Sequence, residues 1–411
     1  MTRRPVLGAG PDPATPGAAA DRAIRPPLLL TLALLAAFAP IATDLYLPGF
    51  PAIGRDLAAG ASGVQLTLTT FLLGLAVGQL VMGPISDRYG RRNPLIVSAV
   101  VCVVAGVVAA LAPDLAVLVV ARLVQGLAGA GGVVIGRAII ADLVTGRAAA
   151  RAFTLMMTVG GAAPVLAPLV GGLLAGPVGW RGMLWAVTGL CVVMLVAVTL
   201  VVPETRPASV RGQATGATYL GSVRRVLRSA GYWGHTAVFA FSFAMMMAYI
   251  SSSPFVYQRV LGLSEVAYGV AFGVNAAGLI GTGAFVSRLV QRVDPGRIVA
   301  ASLVVQASAT GTLVLLVTLG APAWTYAVAI FFAVASNGGI MGTSAALAMA
   351  RVREVAGTGS ALLGFSQFAL GAVVSPLVGL TGADSAVAPA LVMASATLLA
   401  VVASRLARRA H

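Results

Sequence analysis

Long apolar runs dominate the chain, and their length predicts helices that cross a membrane. Runs of about 20 mostly apolar residues are long enough to span the hydrocarbon core of a bilayer as helices. The run from Val97 to Leu111 lacks the apolar and polar alternation that a strand of a membrane barrel shows. Twelve such runs are predicted as spans, at residues 28–48, 64–85, 94–112, 115–141, 152–176, 183–202, 233–255, 266–287, 298–319, 322–350, 356–380 and 386–404.

A polar interval divides the twelve predicted spans into two sets of six. Glu204 and several arginines interrupt the apolar pattern near the middle of the chain. Two bundles joined in this way place a substrate site at their interface, near the midplane of the bilayer. The predicted organisation is an N-terminal tail, a first bundle, a basic linker, a second bundle and a C-terminal tail, at residues 1–27, 28–202, 203–231, 232–404 and 405–411.

The first of these segments is rich in proline, glycine and alanine, and it has no apolar core of its own. We therefore expect the N-terminal tail to be disordered. It carries no cleavable signal, and residues 28–47 are interpreted as the first retained span because the apolar run is long and contains Asp44.

Composition and charge agree with a membrane protein and predict its orientation. Hydrophobic residues make up 59% of the chain and charged residues 9%, against about 25% charged in ordinary soluble domains. All 27 basic residues are arginine; with the N-terminus inside, 22 lie in tails and inner loops, 3 outside and 2 within spans. Because inner loops retain basic residues, both termini are predicted to be cytoplasmic. The net charge of +15 is spread over separate inner segments, so nucleic-acid binding is not expected.

The chain has few residues suited to metal binding or catalysis. Cys102 and Cys191 both lie in apolar runs, and the two histidines are far apart, so neither a disulfide framework nor a metal site is expected. The sequence contains no His-Glu-x-x-His pair and no phosphate-binding loop with lysine. We therefore predict that the protein is not an enzyme and needs no cofactor.

Charged residues inside predicted spans are the best guide to function, because such groups are costly in hydrocarbon. Asp44, Arg122 and Arg137 are in this position. Asp44 and Arg122 each lie about six residues, or about 9 Å, from the outer end of a span. A carboxylate whose burial and neighbours change with conformation suits proton coupling. A permanent structural ion pair is the alternative interpretation.

The loop after the second predicted span carries the sequence Gly83-Pro-Ile-Ser-Asp-Arg-Tyr-Gly-Arg-Arg92. It resembles the loop signature of the major facilitator superfamily, whose matched positions here are Gly83, Asp87, Arg88, Gly90, Arg91 and Arg92. Glycine permits a tight turn, and a carboxylate is stabilised by the positive end of a helix. The resemblance implies that this helix is the eleventh span near Gly357, and that Asp142 pairs with Arg91. The alternative is that these charges serve orientation alone.

Two further stretches resemble those of drug:proton antiporters. Asp44-Leu-Tyr-Leu-Pro-Gly-Phe-Pro51 resembles the acidic first-span motif, and Arg122-Leu-Val-Gln-Gly126 the basic fourth-span motif. The Tyr-Leu-Pro variant is similar to that of the bicyclomycin-resistance (Bcr/CflA) family. The similarity runs from about residue 36 to residue 400, and it implies that Asp44 carries the proton with Arg122 as its electrostatic partner.

The fifth predicted span resembles the antiporter motif of exporters, with Pro164, Pro168, Gly171 and Gly172 at matching positions. The full motif has glycine at three positions that are Thr154, Ala163 and Ala167 in this chain. Proline kinks a helix by removing a backbone donor, which a rocking bundle can use. The motif favours export, and ordinary packing of small residues is the alternative.

Polar and aromatic residues within the spans are candidates for a substrate cavity. They are Tyr46, Gln125, Arg137, Tyr249, Asn275, Asn337 and Gln367. Each is equally suited to an interhelical hydrogen bond. Asp44 is the one acidic residue clearly inside a predicted span, so a neutral or weakly polar drug avoids competition with the proton.

Together these features predict an all-α protein of the bacterial inner membrane with the major facilitator fold, and the resemblance implies that it works as a monomer. The expected activity is export of small amphiphilic antibiotics, such as bicyclomycin or chloramphenicol, against inward proton flow by alternating access. The proton gradient supplies the energy. The alternative is a carrier on the same fold for an endogenous metabolite or nutrient, acting as an exporter or a proton symporter.

Overall fold

The computed structural model describes residues 24–144, 146–206, 216–382 and 384–409, and these residues form helices without any strand. The predicted all-α class is therefore confirmed. Most of the predicted N-terminal tail, the middle of the linker and the last two residues lie outside the described residues. The helices are α1 (Pro26–Asp44), α2 (Phe50–Asp56), α3 (Ala61–Tyr89), α4 (Arg92–Ala110), α5 (Leu115–Leu143), α6 (Gly146–Val201), α7 (Gly216–Leu227), α8 (Ala230–Phe255), α9 (Glu265–Leu289), α10 (Pro295–Thr318), α11 (Trp324–Ala350), α12 (Ala356–Val374) and α13 (Val387–Arg409).

The long helix α6 accounts for two membrane passes. Its 56 residues would extend about 84 Å if straight, against about 30 Å for the hydrocarbon core. Gly179 interrupts it with φ of 63°, a conformation that glycine adopts without penalty. Counted with this bend, the described helices make the twelve predicted passes, with α2 and α7 as short additional helices.

The helices form two bundles of six passes. In the first bundle α3 packs on α5, α1 on α6, and α4 on both α5 and α6; in the second, α8 packs on α11, α12 and α13, and α11 on α9 and α10. Glycine allows close approach within the first bundle: a Cβ on Gly126 would lie 2.0 Å from the carbonyl oxygen of Phe71. Small residues at such crossings are typical of membrane helices.

Helix bounds differ modestly from the predicted spans. Helix α3 extends beyond the predicted 64–85 at both ends, α8 begins at Ala230, and α13 continues to Arg409. The segment 203–231, expected to be a linker, contains α7. Apolar length alone does not locate a helix end, because the ends carry the polar residues that the pattern excludes.

The two bundles meet along two seams, α6 against α9 and α3 against α12. We call the helix ends near residues 83–92 the motif side and the other ends the far side. On the far side, a Cβ on Gly172 would lie 2.6 Å from the carbonyl oxygen of Glu265, and one on Gly379 would lie 2.4 Å from Oε1 of Gln65. Gln258 Nε2 also donates across the bundles to the carbonyl oxygen of Pro48 at 3.0 Å. The far side is therefore closed by direct contact.

On the motif side the bundles enclose a cavity of about 620 Å³. Helices α3 and α5 line it from the first bundle, and α11 and α12 from the second. Its rim includes the exposed residues Ala356 and Gly357 at the start of α12. The structure thus shows a conformation that is closed on the far side and open on the motif side.

The far-side closure predicts that Gly172→Leu opens the protein toward that side. Overpacking of a tight contact costs about 1–3 kcal/mol, which shifts a two-state ratio about fivefold or more. A cysteine introduced at half-buried Gln258 reports the change through its rate of labelling by a membrane-impermeant maleimide. The native Cys102 and Cys191 are buried and give little background.

Gly176→Leu is the matched control, because a Cβ at Gly176 on the same helix meets nothing within 4 Å. We expect the Gly172→Leu protein to be labelled at least about fivefold faster than the Gly176→Leu protein. Equal rates in the two variants would show that this contact does not hold the far side closed.

Candidate transport site

Arg122 is fully buried on α5, where neutral groups hold its charge. Its Nη1 donates to Gln125 Oε1 at 2.6 Å, and its Nη2 donates to the carbonyl oxygen of Ala42 at 2.7 Å. The guanidinium carbon lies 4.6 Å from the ring centroid of Tyr46 and 4.2 Å from that of Phe71. Carbonyl dipoles and aromatic faces both stabilise a cation. Helix α1 ends nearby, so carbonyls of its last turn have no helical partner and can accept from Arg122.

Asp44 is the last residue of α1 and is 2% exposed. Thr43 Oγ1 donates to its Oδ1 at 2.9 Å. The C-terminal end of a helix carries partial negative charge and does not stabilise a carboxylate. Asp44 is therefore a buried acid with one side-chain hydrogen bond among the described residues.

Asp44 and Arg122 do not form an ion pair in the described structure, so the alternative interpretation, a permanent structural ion pair, does not describe this conformation. The Arg122 guanidinium reaches the level of Ala42, so the two charged residues do lie at a similar depth. The guanidinium is already engaged by the backbone carbonyl oxygen of Ala42 and by Gln125. The side chain of Asp44, two residues further along the helix, projects in a different direction from that of Ala42. The role of each residue in proton coupling remains a prediction.

Across the interface, Asp44 faces a cluster of tyrosines from the second bundle. Asn275 Nδ2 donates to the hydroxyl oxygens of Tyr249 and Tyr257, each at 2.9 Å. The carboxyl group of Asp44 lies close enough to Tyr249 and Tyr268 to interact with them electrostatically. The structure therefore brings Asp44, Tyr249 and Asn275, three of the predicted site residues, to one region of the interface.

Aromatic packing extends this region across the far-side seam. Tyr249 stacks on Phe272 with ring centroids 5.3 Å apart, and Tyr268 packs edge-on against Phe272 at 6.1 Å. Phe50 of the first bundle lies 6.2 Å from Phe255 of the second. This aromatic layer separates Asp44 from the far side in the present conformation.

Three other predicted cavity residues lie elsewhere. Asn337 is fully buried inside the second bundle, where Nδ2 donates to the carbonyl oxygen of Ser242 at 3.0 Å and Oδ1 accepts from Gln306 at 3.2 Å. This is the interhelical bond that the sequence left open as an alternative. Gln367 is half-buried on α12, and Arg137 lines the motif-side cavity.

At the motif side, Arg91 joins α3 to α5 through two carboxylates. Its Nη1 donates to Asp87 Oδ1 at 2.8 Å, and its Nε donates to Asp142 Oδ2 at 2.9 Å. The hydroxyl of Ser86 accepts a further hydrogen bond at 2.7 Å. Burial lowers the pKa of Arg91, but the hydrogen bonds and charges of the two acids outweigh it and raise the pKa overall. The expected pairing of Arg91 with Asp142 is thus present.

Glu204, just beyond α6, completes this cluster from a third helix end. Its carboxylate accepts from the backbone nitrogens of Arg91 at 2.8 Å and Arg92 at 3.3 Å, which caps the start of α4. Arg206 donates from Nη1 to Asp87 Oδ1 at 2.9 Å. Five charged groups therefore tie together the motif-side ends of the first bundle, and we call this cluster the latch: Asp87, Arg91, Asp142, Glu204 and Arg206.

The other residues of the loop motif each have a different contact or backbone conformation. Arg92 Nη2 donates to the carbonyl oxygen of Thr199 at 2.8 Å, at the end of α6. The Arg88 guanidinium lies 5.5 Å from the ring centroid of exposed Tyr89. Gly90 has φ of 91°, the region that favours glycine, so the predicted tight turn is formed there.

The expected contact between Asp87 and the start of the eleventh span is indirect. Asp87 and Gly357 both line the motif-side cavity, as does Gly83. The direct partners of Asp87 are Arg91 and Arg206. In this conformation the cavity separates the carboxylate from the first turn of α12.

The residues of the antiporter motif lie on the part of α6 that faces the seam. A Cβ on Gly171 would lie 2.0 Å from the carbonyl oxygen of Leu45, at the end of α1. Gly172 makes the far-side contact with α9 described above, and Pro168 is buried against the same helix, while Pro164 is half-buried. These positions bring α6 close to the end of α1 within its own bundle and to α9 of the second bundle. The role of the motif in export stays a prediction.

Sequence reasoning missed several residues that the fold brings to the site. Tyr257 belongs to the tyrosine cluster, Tyr268 and Phe272 belong to the aromatic layer, and Glu204 and Arg206 belong to the latch. The spacing of Tyr268 and Phe272 by four residues, which places them on one helix face, was a usable signal. Glu204, a carboxylate directly after the sixth predicted span, was another usable signal.

Two bundles of six helices with an interface site, closed on one side and open on the other, define the class of secondary transporters that work by alternating access. Comparison with known proteins supplies the family. The chain matches the family model described as Major Facilitator Superfamily over residues 32–376. The protein belongs to this superfamily.

Similarity to known proteins extends along most of the chain. It is 34% identical to the uncharacterized MFS-type transporter YdgK of Bacillus subtilis (strain 168), over 86% of this chain and 88% of that one. It is 28% identical to a bicyclomycin resistance protein homolog of Haemophilus influenzae, over 91% and 94% of the two chains. A bacterial homolog of the human lysosomal transporter Spinster, solved in an inward-facing and unoccupied conformation, superposes with a TM-score of 0.72 at 16% identity, over 94% and 98%. The predicted fold and superfamily are therefore confirmed.

The latch predicts that Glu204→Gln destabilises the first bundle. The change weakens a cap whose loss costs about 1 kcal/mol or more, which lowers the melting temperature by about 2–4 °C per kcal/mol for a unit of this size. Thermal unfolding of the purified protein in detergent measures the effect. Glu354→Gln is the control, because Glu354 pairs with Arg225 in an exposed salt bridge, and such pairs contribute little. A shift no larger than that of the control contradicts a structural role for Glu204.

Proposed function

We propose that this protein is a proton-coupled exporter of small amphiphilic antibiotics. The observation that carries the proposal is a buried carboxylate, Asp44, that lies at the interface of the two bundles and has no ion-pair partner among the described residues. Such an acid can exchange a proton when its surroundings change. The similarity to a bicyclomycin resistance protein homolog supports antibiotics as the substrate class.

The orientation follows from the placement of arginine. The motif side carries most of the arginines of the chain, whereas Arg55, Arg181 and Arg259 lie on the far side. By the positive-inside rule the motif side is cytoplasmic and the far side faces outward across the bacterial inner membrane. The present conformation then accepts substrate from the cytoplasm.

The two conformations would present Asp44 to different solvents. In the present one, the aromatic layer shields Asp44 from the far side. When the bundles rock, the far side opens and Asp44 gains access to protons from outside, while substrate leaves. Return to the motif-side-open state releases the proton inward as new substrate binds, so proton entry drives export.

Arg122 would act as the fixed positive charge for this exchange. Its Nε is buried and has no hydrogen-bond partner in the described structure, and its guanidinium lies at the level of Ala42, two residues from Asp44. A small rotation of α1 relative to α5 would bring a free donor to the carboxylate. Substrate binding in the motif-side-open state would trigger this approach, which stabilises deprotonated Asp44 and releases its proton inward.

The proposal needs no bound cofactor, since the proton gradient supplies the energy, and it treats the single chain in the lipid bilayer as the working unit. A carrier for an endogenous metabolite or nutrient would use the same fold. The choice of compounds in the following experiment distinguishes the two, because such a carrier would not respond to antibiotics.

Asp44→Asn is expected to abolish coupling. Chloramphenicol, bicyclomycin and ethidium are added separately to everted membrane vesicles with an acidified interior. Export of any one of them by the wild-type protein drives protons out, and the interior becomes more alkaline. The amide of asparagine neither binds nor releases a proton near neutral pH, so the substrate-dependent alkalinisation should disappear. A pH-sensitive dye inside the vesicles measures it.

Asp114→Asn is the matched control. Asp114 caps the start of α5 by accepting from the backbone nitrogen of Val117 at 2.9 Å, and asparagine caps a helix equally well. This variant should keep the full signal. A response that persists in Asp44→Asn shows that the proton travels elsewhere, and silence of the wild type toward all three compounds refutes antibiotic export.

A further inference from the structure

The motif-side cavity contains polar groups that neither the proton site nor the latch uses. Its volume of about 620 Å³ lies in the range of pockets that bind drug-sized molecules. Small residues of both bundles leave this room, including Ala138 and Ala141 on α5 and Gly357 and Ala361 on α12. The cavity therefore lies on the path between the bundles and is large enough for a solute.

Arg137 is the main unexplained group in this cavity. It is partly buried on a membrane-spanning helix, and in the described part of the chain it makes no hydrogen bond, ion pair or ring contact. Arg91 and Arg122, the other deeply placed arginines of this bundle, each have several partners. A guanidinium in a membrane span usually pairs with an acid or a carbonyl, so the free charge of Arg137 is available to a ligand.

Gln79 is a second unused group in the same cavity. It is 5% exposed, it lines the cavity from α3, and its amide has no hydrogen-bond partner within the described ranges. Buried amides are normally hydrogen-bonded. Gln79 therefore offers two donors and an acceptor to a molecule in the cavity.

The opposite wall adds donors from the second bundle. Thr358 and Ser360, in the first turn and a half of α12, line the cavity. Helix α12 begins without a side-chain cap, and the start of a helix favours negative charge. This wall alone defines no site, but it faces the groups of Arg137 and Gln79 across the cavity.

The charges that line the cavity leave a net positive balance. Arg91, Arg137 and Asp87 are the ionised residues of the lining. Asp87 already bonds Arg91 and Arg206, so it is not free to neutralise Arg137. The cavity thus offers an uncompensated cation, amide and hydroxyl donors, and apolar walls.

We propose that this cavity is the loading site for amphiphilic organic anions, whose carboxylate binds Arg137 and Gln79 while the apolar part contacts the walls. The inference rests on the proposed export function and names its preferred substrates. Arg137 lies 15 residues from Arg122 on the same helix, or about 22 Å inward. An anion bound at Arg137 does not compete with the proton at Asp44, whereas a cationic drug meets the positive cavity first and binds it poorly.

The test measures equilibrium binding to purified full-length protein in nanodiscs of zwitterionic lipid. The probes are radiolabelled chloramphenicol hemisuccinate, an anion, and chloramphenicol, its neutral parent. We expect the anion to bind at least about tenfold tighter, and Arg137→Gln to remove this preference, because a charge-assisted bond is worth about a factor of ten or more. Binding of the parent should change by less than about twofold.

Further variants separate a binding role from a structural one. Arg137→Lys keeps the charge but loses the planar fork, so it should retain part of the preference. Gln79→Leu, with a side chain of similar size, should weaken anion binding about threefold or more. Arg292→Gln removes an exposed arginine of an inner loop and should have no effect. Thermal unfolding verifies that each variant is folded.

The binding measurements test the anion site separately from the proposed export function. Failure of wild type to bind the hemisuccinate, or equal binding by wild type and Arg137→Gln, overturns the proposal and leaves Arg137 solvated by water. Binding needs no proton gradient, so a positive result stands even if Asp44→Asn shows no defect. Proton-coupled transport of chloramphenicol without anion binding would retain the export function and reject the anion site.

Discussion

The way in which Arg122 is held decides the chemistry of the interface. A carbonyl oxygen, a side-chain amide and two aromatic rings stabilise its guanidinium, although a carboxylate lies two residues from that carbonyl. If Arg122 were paired with Asp44, a closed ion pair would exist in the hydrocarbon region and be costly to separate. Because neutral groups hold Arg122, Asp44 remains a buried acid free to change its protonation. The proposed proton exchange at Asp44 depends on this arrangement.

The two sides of the protein use different forces, and this asymmetry suits a two-state carrier. The far side closes through glycine contacts and aromatic packing between bundles, which are lost all at once when the bundles separate. The latch on the motif side works within the first bundle and joins the ends of α3, α4, α5 and α6. In the proposed cycle the latch would keep that bundle rigid while the interface opens, so that whole bundles move.

The cavity and the proposed proton site at Asp44 lie at different depths, so in the proposed cycle substrate binding and protonation are separate events. Arg137 lies about 22 Å along α5 from Arg122, toward the side that is open in the present conformation. A solute that enters there does not need to displace the proton directly. Coupling would instead arise because both groups belong to α5 and its neighbours, which move together.

The sequence by itself determined the spans, the two bundles and the residues of the loop motif, since apolar length, charge placement and turn-forming glycines are local properties of the chain. Asp44, Arg122, Arg91 and Asp142 were all identifiable in this way. Only the tertiary structure decided which groups meet. Glu204 reaches Arg91 across 113 positions of the chain, Arg122 contacts Ala42 rather than Asp44, and Asn337 lies inside a bundle instead of the cavity. Helix rotation sets these contacts, and rotation depends on packing between distant segments, which no local pattern records.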